Sequence, residues 1–156
     1  MNTFTTFIIR PLRDDDMIAM AVLHAKAIRH SYPAVYPAHV VDDWANSRRP
    51  EKYLTARERG EEFLVAEADG HTVGFIGWKN GELCGMYIDP RYHGKAIGTE
   101  LVKAADEIAQ ANGTPITHVT AALSARGFYE KMGFKLVREG TSTVSGHEIN
   151  DYYMER

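Results

Sequence analysis

Two short turn dipeptides constrain the fold of this chain more than any other feature. Asp69-Gly70 and Asn80-Gly81 separate three runs of apolar, β-branched and aromatic residues, at 63–67, 72–78 and 83–88. Such dipeptides between strand-like runs are the strongest short-range signal for hairpin turns. The sequence therefore predicts three consecutive antiparallel strands in the middle of the chain.

The segment after these runs changes from a strand period to a helix period. Its apolar positions recur at helical spacing and stop before Asn112-Gly113, a typical helix end: Ile97, Leu101, Ala105 and Ile108. A further strand is predicted at 116–121. Because a strand, a helix and a second strand of these lengths form a crossover unit, we expect 83–88 and 116–121 to be parallel.

The remaining elements complete an α/β pattern. We predict a first strand at 7–12, a helix from the Asp14–Asp16 carboxylates to about Arg29, and shorter helices at 40–46 and 50–59. A helix at 124–132 closed by Gly133 and a final hairpin of 134–138 with 148–154 follow. The first helix is expected to face the sheet with its regularly spaced apolar residues: Ile18, Val22, Ala25 and Ile28.

Composition narrows the class of protein. The 156 residues are 44% hydrophobic and 25% charged with a net charge of −3, so we expect one globular domain, 1–156, with no basic field for nucleic acid. Cys84 is the single cysteine, which excludes an intrachain disulfide, and it is expected to be a small buried hydrophobe. Residues 1–16 show no leader and no run is long enough to span a membrane, so a soluble cytoplasmic protein is expected.

One segment between a predicted strand and a predicted helix has the character of a ligand site. Asp89 to Thr99 carries small residues at Gly94, Ala96 and Gly98 directly before the helix. Small residues let a ligand approach the backbone, and the free N–H groups of a helix start suit a pyrophosphate. The segment has neither the P-loop nor the Rossmann spacing. It therefore predicts a phosphate-binding turn of another kind.

This segment resembles the coenzyme-A-binding motif Q/R-x-x-G-x-G/A of the GNAT superfamily of N-acetyltransferases, with His93 in the Q/R place, Ala96 as the first glycine and Gly98 as the second. The stretch 125–134, ARGFYEKMGF, resembles the second motif of that family. The resemblance implies a mixed, mostly antiparallel sheet whose central parallel pair splays around acetyl-CoA. It also implies cofactor contacts from Met86, Tyr87, Ile88, His93, Gly94, Lys95, Ala96, Ile97, Gly98, Thr99, Ser124, Phe128 and Lys131.

The same resemblance assigns catalytic roles. Tyr129 matches the family tyrosine that protonates or hydrogen-bonds the departing thiolate, a role open to a phenol that stays protonated at neutral pH. Glu82 resembles the general-base glutamate of some members, and a water chain is the alternative. No histidine, cysteine or carboxylate spacing indicates a metal site.

The acceptor is the part that the sequence leaves open. The acceptor is expected to enter beside the first helix, with Tyr32, Tyr36 and Trp78 as aromatic walls. The prediction is direct transfer of an acetyl group to a primary amine of a small molecule or peptide, with no nucleic-acid or membrane partner and a homodimer left open. A non-catalytic acyl-CoA-binding or sensing module is the alternative, and a toxin-like enzyme acting on charged tRNA is disfavoured by the negative charge.

Overall fold

The computed structural model describes residues 6–156, and within them a seven-stranded mixed sheet forms the centre of the fold. The strands stand in the order β1-β2-β3-β4-β5-β7-β6. Their bounds are β1 Ile8–Pro11, β2 Glu62–Ala68, β3 His71–Lys79, β4 Glu82–Ile88, β5 His118–Ala122, β6 Lys135–Val144 and β7 His147–Glu155. The prediction that residues 1–16 contain no leader includes residues 1–5, which lie outside the described residues.

Five α-helices flank the sheet in the described part of the chain. Their bounds are α1 Met17–Ser31, α2 Ala38–Asn46, α3 Pro50–Glu58, α4 Ile97–Ala111 and α5 Arg126–Lys131. None of the helices within residues 6–156 is long and apolar enough to cross a membrane. The α/β fold class, the mixed sheet and the flanking helices are thus confirmed.

The two predicted hairpin turns are confirmed, and the turn of the final hairpin, which was not located from the sequence, has the same form. Asp69 and Gly70 both have positive φ, 53° and 76°, as do Asn80 and Gly81 at 50° and 83°. Two successive positive φ values characterise the type I′ turn, whose twist matches paired strands. Ser145-Gly146 repeats the pattern at 48° and 79°, so β6 extends to Val144, well beyond the predicted end at 138.

Strands β4 and β5 are parallel, as predicted, but they pair over two residue positions only. Glu82 faces His118 and Leu83 faces Val119. On the other side of β4 the register shifts, because Gly77 faces Gly85 while Trp78 faces Leu83. Cys84 is therefore the extra residue of a β-bulge, which bends a strand locally. The bend directs the rest of β4 away from β5 and opens the sheet between them.

Helix α1 turns a different face to the sheet from the one predicted. Ile18 and Val22 are 70% and 50% exposed, so their assignment to the sheet face is wrong. The buried residues of this helix also follow helical spacing: Met17, Met20, Ala21, Leu23, His24, Ala27 and Ile28. The helix carries apolar residues all round, and tertiary packing selected the stripe that includes methionines and a histidine.

The start of α1 also differs from the prediction. Asp14–Asp16 form a 3-10 turn, and Asp16 makes no side-chain cap to α1. Its carboxylate instead accepts two hydrogen bonds of 2.8 Å from the Arg10 guanidinium and one of 2.7 Å from the Arg13 N–H. Asp16 is 5% exposed, so this buried pair ties β1 to the start of the helix.

Two cores form on opposite faces of the sheet. Helix α4 packs with Leu64, Ile76 and Leu83 on one face. Helices α1 and α3 pack with Phe63, Val65 and Phe75 on the other face. The gap between β4 and β5 thus lies between two supported layers.

Candidate active site

A cleft of about 500 Å³ lies at the end of β4, in the part of the strand that no longer pairs with β5. The end of β4, the following turn and the start of α4 line it, together with α5 and one side of α1. All thirteen residues predicted to contact the cofactor lie on this cleft. The structure brings the predicted residues together, and their binding role stays a prediction.

The turn into α4 presents unpaired backbone N–H groups to the cleft. Ala96 is the N-cap of α4 and makes no side-chain cap, and the first backbone bond of the helix runs from the Glu100 N–H to the Ala96 carbonyl at 3.1 Å. The N–H groups of Ile97, Gly98 and Thr99 therefore precede the helical ladder and carry the positive end of the helix dipole. This arrangement fits a pyrophosphate.

The backbone conformation of the turn explains its small residues. Gly94 has a φ of 75° and Ala96 a φ of 62°, in the left-handed region that favours glycine. Gly98 is needed for a different reason: a Cβ on it would lie 3.1 Å from Met86 Cε and 3.3 Å from the Phe128 ring. The first residues of α4 thus approach β4 and α5 closely, and a larger side chain at 98 would project into the cleft.

Tyr129 lies on the wall of this cleft and is 5% exposed. Its ring packs edge-on against Phe128 at 5.3 Å and Phe134 at 5.7 Å. Burial raises the pKa of its phenol above the ordinary value, with a smaller contribution from Tyr87. The hydroxyl therefore stays protonated at neutral pH and is available as a hydrogen-bond or proton donor.

Two further tyrosines meet at the inner end of the cleft. Tyr32 and Tyr87 both line it. Burial raises the pKa of Tyr32 well above its ordinary value, and the neighbouring phenols of Tyr87 and Tyr129 add to the effect. The Tyr87 ring stacks on His24 of α1 at 3.7 Å between centroids. Three protonated phenols thus surround the end of the cleft.

The other two aromatic residues predicted for the acceptor wall are elsewhere. Trp78 is 2% exposed within the core beneath α4, and Tyr36 does not line the cleft. The Tyr36 hydroxyl accepts the Leu123 N–H at 3.0 Å and donates to the Asn150 carbonyl at 2.7 Å. Packing and a backbone clamp account for these two side chains, so their positions lend no support to an acceptor-binding role, which stays a prediction.

Glu82 also lies away from the cleft. It opens β4, where it pairs with Lys79 and His118 before the strands separate, and it lines neither cavity. Met86, the first residue of β4 that lines the cleft, is four residues further along the strand, about 13 Å at 3.3 Å per residue. A catalytic role for Glu82 stays a prediction to which this position lends no support.

A second cavity of about 600 Å³, which the sequence did not indicate, lies on the α1 face of the sheet. Tyr87 lines both cavities, so this side chain stands between them. The second cavity is built from distant segments: α1, the α2–α3 and α3–β2 connections, α3, β4, β6 and the β6–β7 turn. The polar residues that these segments supply are His24, Ser47, Arg48, Lys52, Glu61, Cys84, Thr143 and Ser145. Cys84 is exposed here, against the expectation of a buried hydrophobe, because the bulge turns it outward.

Glu61 is the carboxyl group that lines this cavity, and its surroundings bring its pKa close to neutral. Burial raises the pKa of its carboxyl to about 7, and the nearby Glu82 carboxylate adds to the rise. The carboxylate lies over Gly77 of β3, where a Cβ would overlap Glu61 Oε2. A glycine in the strand thus makes room for a carboxyl that can take up or release a proton near neutral pH. Among residues 6–156 no cluster of three or more potential metal ligands is found.

Comparison with known proteins agrees with the geometry. The chain is 29% identical over 148 residues to an uncharacterized N-acetyltransferase of Methanocaldococcus jannaschii; the match covers 86% of this chain and spans 63% of that relative's length. It is 28% identical to a spermidine N(1)-acetyltransferase of Thermoplasma acidophilum, over 95% of each chain.

Solved structures show the same fold. A GCN5-related N-acetyltransferase of Rhodopseudomonas palustris superposes with a TM-score of 0.87 at 26% identity, covering 99% of this chain and 97% of that one. The PaiA N-acetyltransferase of Thermoplasma acidophilum, in complex with coenzyme A, superposes with a TM-score of 0.76 at 26% identity, covering 97% and 98%. Residues 59–136, half of the chain and most of the cleft, match the acetyltransferase (GNAT) domain. The chain therefore belongs to the GNAT acetyltransferase family.

Proposed function

We propose that this protein transfers an acetyl group from acetyl-CoA to a primary amine by direct transfer. One observation carries the proposal: the gap between β4 and β5 joins an anion-binding helix start to a buried, protonated Tyr129 within a single cleft. The family match and the coenzyme A complex of a structural relative support the choice of cosubstrate.

The residues of the cleft fit acetyl-CoA. The N–H groups of Ile97, Gly98 and Thr99 would hold the pyrophosphate, and Lys95 and Lys131, both exposed at the rim, would add positive charge. Beyond Leu83 the edge of β4 that faces β5 is open, so the main chain of Met86 and Ile88 can pair with an extended amide-containing arm as an added strand would.

Acetyl-CoA would supply the acetyl group as a thioester, so the acceptor amine must lose a proton and the departing sulfur must gain one. In this proposal Tyr129 donates a proton or hydrogen bond to the sulfur, where a donor stabilises charge that develops only during transfer. We favour Glu61 over Glu82 as the group that accepts the proton of the amine. Glu61 lines the adjoining cavity, and its pKa of about 7 suits a general base.

A thiol-release assay with acetyl-CoA and a panel of primary amines tests the proposal. Amine-dependent thiol release well above hydrolysis is expected, and N-acetylated product should appear in equal amount by mass spectrometry. If coenzyme A binds but no amine accelerates thiol release, the non-catalytic acyl-CoA-binding module is the right description. The presence of Tyr129 on the cleft wall favours the enzyme.

Three further features of the protein are proposals. A single domain over residues 1–156, a cytoplasmic location and a homodimer are predictions from the sequence. Size-exclusion chromatography with light scattering would decide the oligomeric state.

A further inference from the structure

The second cavity contains two cations that have no carboxylate partner among residues 6–156. Arg48 and Lys52 both line it, and neither is among the residues paired with a carboxylate in the described part of the chain. Arg48 is half-buried, its Nε has no hydrogen-bond partner within residues 6–156, and one terminal nitrogen donates to Ser47 Oγ at 2.9 Å. Such a guanidinium retains donors for a ligand.

The positive charges of Arg48 and Lys52 both act on His24. Burial lowers the pKa of His24 well below 6.5, and the charges of Arg48 and Lys52 lower it further. Partial burial also lowers the pKa of Lys52, with Arg48 as the next cause. Like charges held together in a concave site repel each other unless an anion lies between them.

The other titratable groups of the cavity leave this charge uncompensated. His24 is neutral and 6% exposed; its Nδ1 bonds the Tyr53 hydroxyl at 2.8 Å, and its Nε2 has no hydrogen-bond partner in the described chain. Glu61 is half-protonated near neutral pH, and the cation that acts on its pKa is Lys79 rather than Arg48 or Lys52. The region around His24 is therefore positive and carries an unused polar atom.

We propose that the acceptor is a small amine that also carries a carboxylate or phosphate group, held by Arg48 and Lys52 in the second cavity. This inference rests on the proposed function and names its substrate class. The cavity shares Tyr87 with the cleft, so an acceptor anchored at one end can extend its amine toward the thioester end. The polyamine named for the Thermoplasma acidophilum relative has the opposite charge and would be repelled here.

Matched amines test the proposal. The panel contains α- and ω-amino acids and aminoalkyl phosphates, each beside its uncharged amide or alcohol, together with spermidine. We expect kcat/KM for the best anionic amine to exceed that of its uncharged counterpart by about 10- to 100-fold, the usual effect of hydrogen bonds to a charged group. The carboxylate and phosphate arms identify which anion is bound.

Three single variants locate the effect. Arg48→Gln and Lys52→Gln should each reduce the preference for anionic amines over their uncharged counterparts about tenfold. Lys52→Glu should shift the preference toward spermidine. Arg49→Gln is the matched control, since Arg49 adjoins Arg48 in sequence, is exposed and does not line the cavity.

The possible results distinguish a failure of the proposed acceptor class from a failure of the proposed acetyl transfer. A preference that falls in Arg48→Gln or Lys52→Gln and stays in Arg49→Gln supports the inference. Equal or better use of uncharged amines or spermidine by the wild type overturns it and leaves the proposed function standing, as does a preference that no variant changes. Absence of thiol release with every amine overturns the proposed function and this inference with it.

Discussion

The cleft and the second cavity differ in how they are built. Two short segments, 86–99 and 124–132, supply most of the residues that line the cleft, and three residues at 27–32 complete it. The second cavity consists of side chains from at least five separate segments between His24 and Ser145. The cosubstrate site therefore depends on local backbone geometry that a motif can encode. The acceptor site depends on which side chains the tertiary structure brings together, and it can change without altering the motif.

Gly98→Glu should have the largest effect and tests the cleft. The substitution places a bulky anion beside Met86 and Phe128, where a Cβ already lies within 3.3 Å of both. Loss of two charge-assisted hydrogen bonds at about 2 kcal/mol each would weaken coenzyme A binding about 10³-fold. Calorimetric titration of the folded variant with coenzyme A measures this.

The control for that variant is Gly127→Glu on α5. A Cβ on Gly127 meets nothing within 4 Å and the residue is exposed, so the same added charge should leave coenzyme A affinity within about threefold. Equal affinity in Gly98→Glu and Gly127→Glu would mean that the pyrophosphate does not bind at the start of α4.

Tyr129→Phe tests the chemistry inside the cleft. The ring and its contacts with Phe128 and Phe134 remain, so coenzyme A affinity should hardly change. We expect kcat to fall about 10²-fold, the usual contribution of a general acid, when chemistry limits the rate. Tyr153→Phe, on β7 and outside both cavities, is the control. A kcat within about threefold of wild type would leave Tyr129 a packing residue.

Glu61→Gln and Glu82→Gln decide which region supplies the proton acceptor. Glu61 must be ionised to accept a proton, so wild-type kcat/KM should rise with pH through about 7, the pKa that burial gives this carboxyl. Glu61→Gln should flatten that acidic limb and lower the rate about tenfold at pH 8, where water is the remaining acceptor. Glu82→Gln should retain the limb. The reverse result would restore the assignment to Glu82.

The same carboxyl provides a measurement that does not depend on turnover. Its pKa is raised from 4.5 to about 7 in the folded protein, so its stabilising contribution is complete below pH 4.5 and is lost as the pH rises through 7. Relative to wild type, Glu61→Gln should therefore gain stability above pH 7. Urea denaturation at pH 5 and pH 8 would show the difference, and none would be seen if the carboxyl were fully solvated.

Ala96→Gly should have the smallest effect and opposite sign. Ala96 has a left-handed φ of 62°, which costs a non-glycine residue about 1–2 kcal/mol, so glycine should stabilise the protein by about 1 kcal/mol after its greater unfolded entropy is subtracted. Thermal unfolding without coenzyme A should shift upward by about 3 °C. Ala104→Gly, inside α4, should shift downward by a similar amount.

The sequence by itself determined the features that depend on near neighbours in the chain. The type I′ turns at 69–70 and 80–81 need residues that tolerate positive φ, and the helix start after Ala96 needs small residues, so both were predictable from short segments. The parallel pairing of β4 and β5 followed from the order of strand, helix and strand. The thirteen cofactor residues that the family resemblance implied lie along these features and line one cleft.

Tertiary structure alone decided the features that depend on contacts between distant segments. The buried face of α1 was mispredicted because Ile18 and Val22 have the same apolar character as Met17 and Met20, and only packing against the sheet distinguishes them. Glu61 was missed because its raised pKa requires burial over Gly77, sixteen residues away. The same holds for Arg48 and Lys52: solvation and charge neighbours, which set what a side chain can do, are properties of the folded chain.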